Sequence, residues 1–255
     1  MTTATPTFAH DIAKLLAPSG TFRAAINLGN SILTWKRETG EIGGITVDIA
    51  RELARRLACH VELIPFDSAG QVTATVAHNI WDVGFLAIDP KRATEIEFTA
   101  AYIIIEGTYL VPDASRFQTI TDVDSPGVRI SAEANSAYDL YLARELKHAT
   151  RVHLPPMAGT KIEHFATGAI DVAAGIRQPL LAFAKAHPQF RVLPGRFMAI
   201  NQAMGLPKGH VVAAAFIKSF IEDLKASGFV ADAIKRHNQP GASVAPLERF
   251  VSLDN

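Results

Sequence analysis

The sequence predicts an α/β protein built as two lobes, and three observations carry that reading. Short apolar runs alternate with stretches of helical periodicity along most of the chain. The alternation comes in two separate blocks. Two long extended apolar segments, 102–111 and 198–206, follow the first and the second block respectively. Strand, helix, strand at this pitch makes right-handed crossovers and a parallel sheet covered on both faces.

The elements follow in order. Phe8, Ile12, Leu15 and Leu16 fall at helical spacing and give a short amphipathic helix stopped by Pro18-Ser19-Gly20. A strand is expected over 22–27. A helix follows with Ala50, Leu53, Ala54 and Leu57 on its dry face and Arg51, Glu52, Arg55 and Arg56 on its wet face. A strand over 61–66, a helix over 69–77 and a strand over 81–88 complete the first block. The second block reads as strands at 128–132, 151–154, 170–176 and 190–193, with helices at 137–146, 161–167 and 178–186. The polar stretch 112–125 separates the blocks. After the second crossing comes a long helix with Phe216, Ile217, Phe220, Ile221 and Leu224 on one face, a break at Gly228 and a short last helix. The tail from Gln239, with Pro240, Gly241 and Pro246, is expected to be loosely held. Two crossings place lobe 1 at 1–108 and 201–255 and lobe 2 at 109–200. Open parallel sheets bind ligands at the carboxyl ends of strands, where connections change direction, so the expected site is the cleft between lobes.

Composition removes whole classes of function. The 255 residues carry 25 basic and 25 acidic side chains, a balance unsuited to blanketing nucleic acid or an anionic membrane. A hydrophobic share of 48% with 20% charged residues is that of an ordinary globular chain. The single cysteine, Cys59, excludes an intrachain disulfide framework and a multi-thiolate metal site, and reads as a small buried residue at a helix end. The longest clean apolar run, 211–217, is far short of the ~20 residues of a membrane span, so no membrane insertion is expected. His10, Asp11 and Lys14 interrupt the stretch where a secretory leader would be apolar. The chain as given therefore shows no export signal, which leaves a cytoplasmic location or a leader replaced at Met1.

No cofactor is implied. Gly40, Gly43 and Gly44 have the wrong spacing for a dinucleotide fingerprint, and neither a P-loop nor a nucleophile elbow occurs. The nine histidines include no pair four residues apart, so no zinc signature results. Asp89, Glu95 and Glu97 read as solvated charges flanking a turn and an edge strand.

The run Gly40-Glu41-Ile42-Gly43-Gly44-Ile45-Thr46-Val47-Asp48-Ile49-Ala50, then Trp81-Asp82-Val83, Asp89-Pro90-Lys91-Arg92 and Ile96-Glu97-Phe98-Thr99-Ala100-Ala101-Tyr102, resembles the family-3 extracytoplasmic solute-binding proteins. These are two-lobed type 2 periplasmic binding proteins that feed polar amino acids to ABC transporters. The likeness covers roughly 22–236, and its specificity lies in the order and spacing of the segments. The resemblance implies two α/β lobes joined by two strands, closing on a small solute, with an ABC permease as partner, a monomeric form and a periplasmic location. It assigns Arg92, in the Pro-x-Arg turn, to clamping the solute carboxylate, for which a planar guanidinium fork is well shaped. It assigns Asn135-Ser136, ahead of a second-lobe helix, to the same carboxylate through a small hydroxyl and helix N–H groups; Ser136 as a plain N-cap is an equal reading.

The chain then departs from the family pattern. Asn30 stands where amino-acid binders carry an aromatic stacking residue, and Ala87 lies near the place of a hydroxyl residue. Beside Ile176, where the family puts an aspartate for the α-ammonium, there is Arg177. Glu106 and Glu133 are the acids available to replace it. If neither does, Arg92 and Arg177 favour a dianion or an acid lacking the amine. Phe66 and Phe85 are candidates for an apolar wall, with core packing as the default. The leading function is therefore non-catalytic binding of a small carboxylate-bearing solute. Two alternatives stand beside it. One is a dehydratase like the cyclohexadienyl dehydratases, which Asp124-Ser125-Pro126-Gly127-Val128-Arg129-Ile130 also resembles. The other is a cytoplasmic ligand sensor.

Overall fold

The computed structural model describes residues 6–153 and 161–248, with the side chains of 6–10 and 161–163 outside that description. Phe8 and position 154 of the sequence reading fall outside it. The chain divides into two compact units, one made of Met1–Ile104 and Asn201–Asn255, the other of Ile105–Ile200.

The first unit opens with α1 (Pro6–Leu16) and β1 (Thr21–Asn27), then a small hairpin of β2 (Trp35–Lys36) and β3 (Ile42–Gly43). Next is α2 (Ile45–Leu57), whose buried Ile45, Ile49, Leu53 and Leu57 repeat every fourth residue while Arg51 and Arg55 face water. Ala58 ends it at a left-handed φ of 51°, and Cys59 N–H closes the turn on Ala54 O at 3.1 Å. That geometry leaves Cys59 half-buried rather than buried, a correction to the sequence reading. β4 (His60–Phe66), α3 (Ala69–Ala74) and β5 (Val83–Ala87) follow. The predicted helix 69–77 is shorter because Thr75 turns its hydroxyl back onto Gln71 O and Val72 O and the chain tightens to a single 3-10 turn at Val76–His78. Trp81 ends in the core at 1% exposure, packed with Ala25, Val72, Leu86 and Ile96.

β6 (Ile96–Pro112) carries the chain out of the first unit. The second unit then holds β7 (Arg129–Ser131), α4 (Ala137–Glu145), β8 (Thr150–Val152), α5 (Lys161–Ala166), β9 (Val172–Ile176), α6 (Arg177–Ala186) and β10 (Phe190–Val192). β11 (Met198–Pro207) leads back to the first unit, which ends with α7 (Val211–Ala226), α8 (Phe229–Arg236) and β12 (Ser243–Val244).

The two units repeat one topology. In the first, β1 is flanked by β4 and β5, both parallel to it, and β5 is followed by antiparallel β11. In the second, β7 is flanked by parallel β8 and β9, and β9 by antiparallel β6. One ion-pair staple recurs as well. Asp82, just before β5, accepts Arg23 N–H at 2.7 Å and Arg23 Nε at 3.1 Å. Asp171, just before β9, accepts Arg129 N–H at 2.8 Å and Arg129 Nε at 3.0 Å. Both lie at the amino ends of the strands, so they lock strand register at the end remote from the expected site. The strand alternation sorts each core: Tyr109, Val111, Val172 and Ala174 face one layer of the second unit, Leu110 and Ala173 the other.

The tail is not loose within the described residues. Ser243 and Val244 pair with Ile104 and Ile103 of β6, Ala245 N–H reaches Tyr102 O at 3.1 Å, and Lys225 Nζ donates to Pro246 O at 2.8 Å. Proline and glycine in a tail signal irregular backbone. They say nothing about an unfilled strand edge that the tail can complete.

Candidate functional site

The topology decides where function can sit in each unit. Strand order reverses between β1 and β5 and again between β7 and β9, and the loops leaving those carboxyl ends diverge to leave room for a ligand.

In the first unit the loop after β5 contains Arg92. Asp89 Oδ1 accepts Lys91 N–H at 2.8 Å and Asp89 O accepts Ala93 N–H at 2.9 Å, so the Asp-Pro-x-Arg turn winds on itself. Asp89 is therefore buried, at 3% exposure, and not the solvated charge read from the sequence. Its turn delivers Arg92, itself 4% exposed, back to the strand end, where Nη1 donates to Ala87 O at 2.9 Å. Burial lowers the Arg92 guanidinium pKa to about 10, against the opposing attraction of Asp89. Burying that charge is costly, and the nearby Asp89 offsets part of the cost.

The loop after β1 carries Asn30, buried at 6% exposure. Its Oδ1 accepts Ile32 N–H at 3.2 Å, and its carbonyl accepts Leu33 and Thr34 N–H, each at 3.0 Å. Asn30 thus builds the loop, with Thr34 Oγ1 bonding back to Asn27 O at 2.9 Å. Phe66 is half-buried against the Trp81 cluster. Phe85, at 3% exposure, meets Tyr102 edge to face with centroids 6.3 Å apart and is a core side chain. Ile88, which sequence reading passed over, is the apolar side chain at that strand end, 41% exposed.

In the second unit Ser136 caps α4, its Oγ accepting Asp139 N–H at 3.1 Å. Asp139 in turn accepts the N–H of Asn135, the residue before the cap, at 2.9 Å, with Asn135 at a left-handed φ of 59°. Asp139 is 2% exposed and also accepts His153 Nε2 at 2.7 Å and Arg151 Nη1. Burial by itself would raise its carboxyl; the hydrogen bonds from His153, Asn135 N–H and Arg151 bring it below the ordinary range. The Asn135-Ser136 turn is therefore stiffened from beneath. Glu133 is exposed and accepts Tyr138 Oη at 3.3 Å.

At the end of β9, Arg177 is the first residue of α6, a poor place for a cation because the helix N-terminus is itself positive. Glu106 compensates: Arg177 Nε donates to its Oε2 at 2.6 Å. Arg196, absent from the sequence reading, donates to Glu106 Oε1 at 2.9 Å. Asp139 had a local signal, Ser-x-x-Asp ahead of a helix. Arg196 had none, being 90 positions from Glu106. Among the described residues no group of three histidine, cysteine or acidic side chains is placed to hold a metal ion. No helix among them is long and apolar enough to cross a membrane.

The chain is a member of the bacterial extracellular solute-binding proteins, family 3, whose family model matches residues 23–240. Its fold is that of the two-lobed type 2 periplasmic binding proteins. It is similar to an amino acid ABC transporter substrate-binding protein from Streptococcus pneumoniae bound to L-arginine, with a TM-score of 0.73 and 19% identity over 92% of this chain and 100% of that one. It is similar as well to a cysteine-binding protein from Campylobacter jejuni, with a TM-score of 0.71 and 18% identity over 89% of this chain and 92% of that one. Among curated proteins it is 25% identical over 158 residues to a cyclohexadienyl dehydratase from Pseudomonas aeruginosa, 60% of this chain and 58% of that protein's length.

Proposed function

We propose that the chain is the solute-binding component of an ABC importer, acting outside the cytoplasmic membrane as a monomer and holding a small carboxylate-bearing solute without transforming it. Arg92 grips one carboxylate of the solute. The Asn135-Ser136 turn and the first N–H groups of α4 supply the second set of donors, and the solute favours the closed state by contacting both. The lobe assignment that goes with this reading is 1–108 with 201–255, and 109–200. The observation that carries the proposal is the burial of Arg92, its side chain folded to the strand end by a turn that Asp89 winds. Family membership and the solutes named for the two structural relatives point the same way.

A second reading, a dehydratase, is favoured by the curated relative. Eliminating water needs a proton donor beside the leaving hydroxyl. Glu106 is a poor one: burial would raise its carboxyl, but the hydrogen bonds from Arg177 and Arg196 hold it below the ordinary range and so ionised at neutral pH. Two measurements decide between the readings. Protein purified without added ligand is denatured and its small molecules identified by mass spectrometry. The protein is then incubated with prephenate while ultraviolet absorption follows the appearance of an aromatic keto acid. A retained acid with no turnover supports binding; steady turnover, abolished with the Arg92 side chain, overturns it.

A further inference from the structure

At the carboxyl end of β9 two arginines share one carboxylate. Glu106 lies on β6 next to Gly107, the register partner of Ile176, so the strand pairing itself brings it beside Arg177. Arg196 comes from the loop ahead of β11, which Phe197 N–H ties to Gly107 O at 3.0 Å. Each oxygen of Glu106 carries one guanidinium, Arg177 at 2.6 Å and Arg196 at 2.9 Å, and Arg177 is further braced on Gly195 O. The three formal charges sum to one positive. The Arg196 side chain keeps 51% of its surface in solvent, Glu106 32% and Arg177 21%, so Arg196 is the most reachable member of the trio.

Two ligand groups compete for this place. A solute ammonium that adds to a remaining lone pair of Glu106 must sit beside two like charges, which disfavours it within ~4–6 Å. An anionic group displaces nothing and meets forks matched to planar oxyanions. We infer that Arg177 and Arg196, aligned by Glu106, form the seat of a second acidic group on the solute, so that the ligand class is a small dicarboxylate without an α-ammonium. Glu106 is then a positioning residue that aims the arginines and tempers their charge. The inference rests on the carboxylate-binding reading of Arg92 but is tested apart from it.

Calorimetric titration of the purified full chain with malonate, succinate, glutarate and adipate, and with alanine, glutamine and arginine, reads the class directly. The expected result is binding of at least one dicarboxylate at least 30-fold tighter than any of the amino acids. Arg196→Gln, at a half-exposed position, then weakens that dicarboxylate about tenfold. Glu106→Gln tightens the dicarboxylate severalfold, because a negative charge is withdrawn from beside the anion while the amide oxygen still accepts a guanidinium N–H and keeps it aimed. Preference for an amino acid, with Glu106→Gln weakening it tenfold or more, overturns the inference while leaving solute binding intact. Failure of all four diacids overturns it equally. Loss of Arg92 without effect on whichever acid binds defeats the Arg92 reading instead.

Discussion

Replacing Arg92 with methionine separates a binding role from a structural one, because the two roles require different signs. The side chain is 4% exposed, and burial brings its pKa down from the ordinary guanidinium value to about 10. At about 1.4 kcal/mol per pKa unit, carrying that charge costs the solute-free protein about 3 kcal/mol. Methionine removes the cost and keeps most of the volume. Against this, Ala87 O loses its donor at 2.9 Å, a penalty of about 1–3 kcal/mol. Asp89 loses a neighbouring cation but keeps the Lys91 N–H at 2.8 Å. The terms nearly cancel, so Arg92→Met without solute unfolds in urea within about 2 kcal/mol of the parent. Binding behaves differently. Two charge-assisted hydrogen bonds of about 1.5–3 kcal/mol each disappear, and affinity falls by about two to four orders of magnitude. Urea unfolding followed by circular dichroism gives the first number and titration calorimetry with the retained solute gives the second. Destabilisation beyond about 4 kcal/mol together with affinity kept within tenfold refutes the reasoning: Arg92 is then a strut.

Other outcomes follow from the same structure. Gly44 holds φ at 117° with a would-be Cβ 2.4 Å from Leu33 O, so Gly44→Ala costs more than about 3 kcal/mol in urea. Gly40→Ala, at φ 89° with nothing within 4 Å, costs only about 1–2 kcal/mol. Asp139→Asn removes the carboxylate shared by Asn135 N–H, Arg151 and His153 and destabilises by about 3 kcal/mol at neutral pH. The folded carboxyl lies below its unfolded value, so its contribution is complete above about pH 4 and is lost as pH falls through the folded pKa. Parent and variant melting temperatures should therefore converge in acid, and a gap that stays constant to pH 2 contradicts the assignment. Lys225→Met leaves Glu222 buried without its 2.7 Å ion-pair partner and costs about 3–5 kcal/mol. Adding Glu222→Leu recovers most of that loss in thermal melts, since an apolar pair replaces a stranded charge.

Much of the architecture was legible in the residues because burial imposes a period. Ile45, Ile49, Leu53 and Leu57 announce α2, and the apolar runs at β1, β5 and β9 announce strands covered on both faces. Arg92 was singled out by the resemblance that its Asp-Pro-Lys-Arg turn carries, and the fold buries it at the strand end. Ser136 was legible as a cap from its place just ahead of a helix. Asp89 misled because charge argues for exposure, and only the folded turn shows its carboxylate consumed by Lys91 N–H. The tail misled because Pro240 and Pro246 describe the backbone they occupy and not the β6 edge that receives Ser243 and Val244.

Periodicity and turn chemistry are properties of a few neighbouring residues, so element types and the doubled α/β plan could be read from the chain. Charge partners across long separations are set only when strands choose their register. Glu106 meets Arg177 across 71 positions because Gly107 pairs with Ile176, and Arg196 joins them from 90 positions away. A linear sequence offered Glu106 as an acid for an ammonium and Arg177 as a cation for an anion, with equal right. Folding spent the one on the other and left the surplus positive charge on Arg196, which is a decision of geometry.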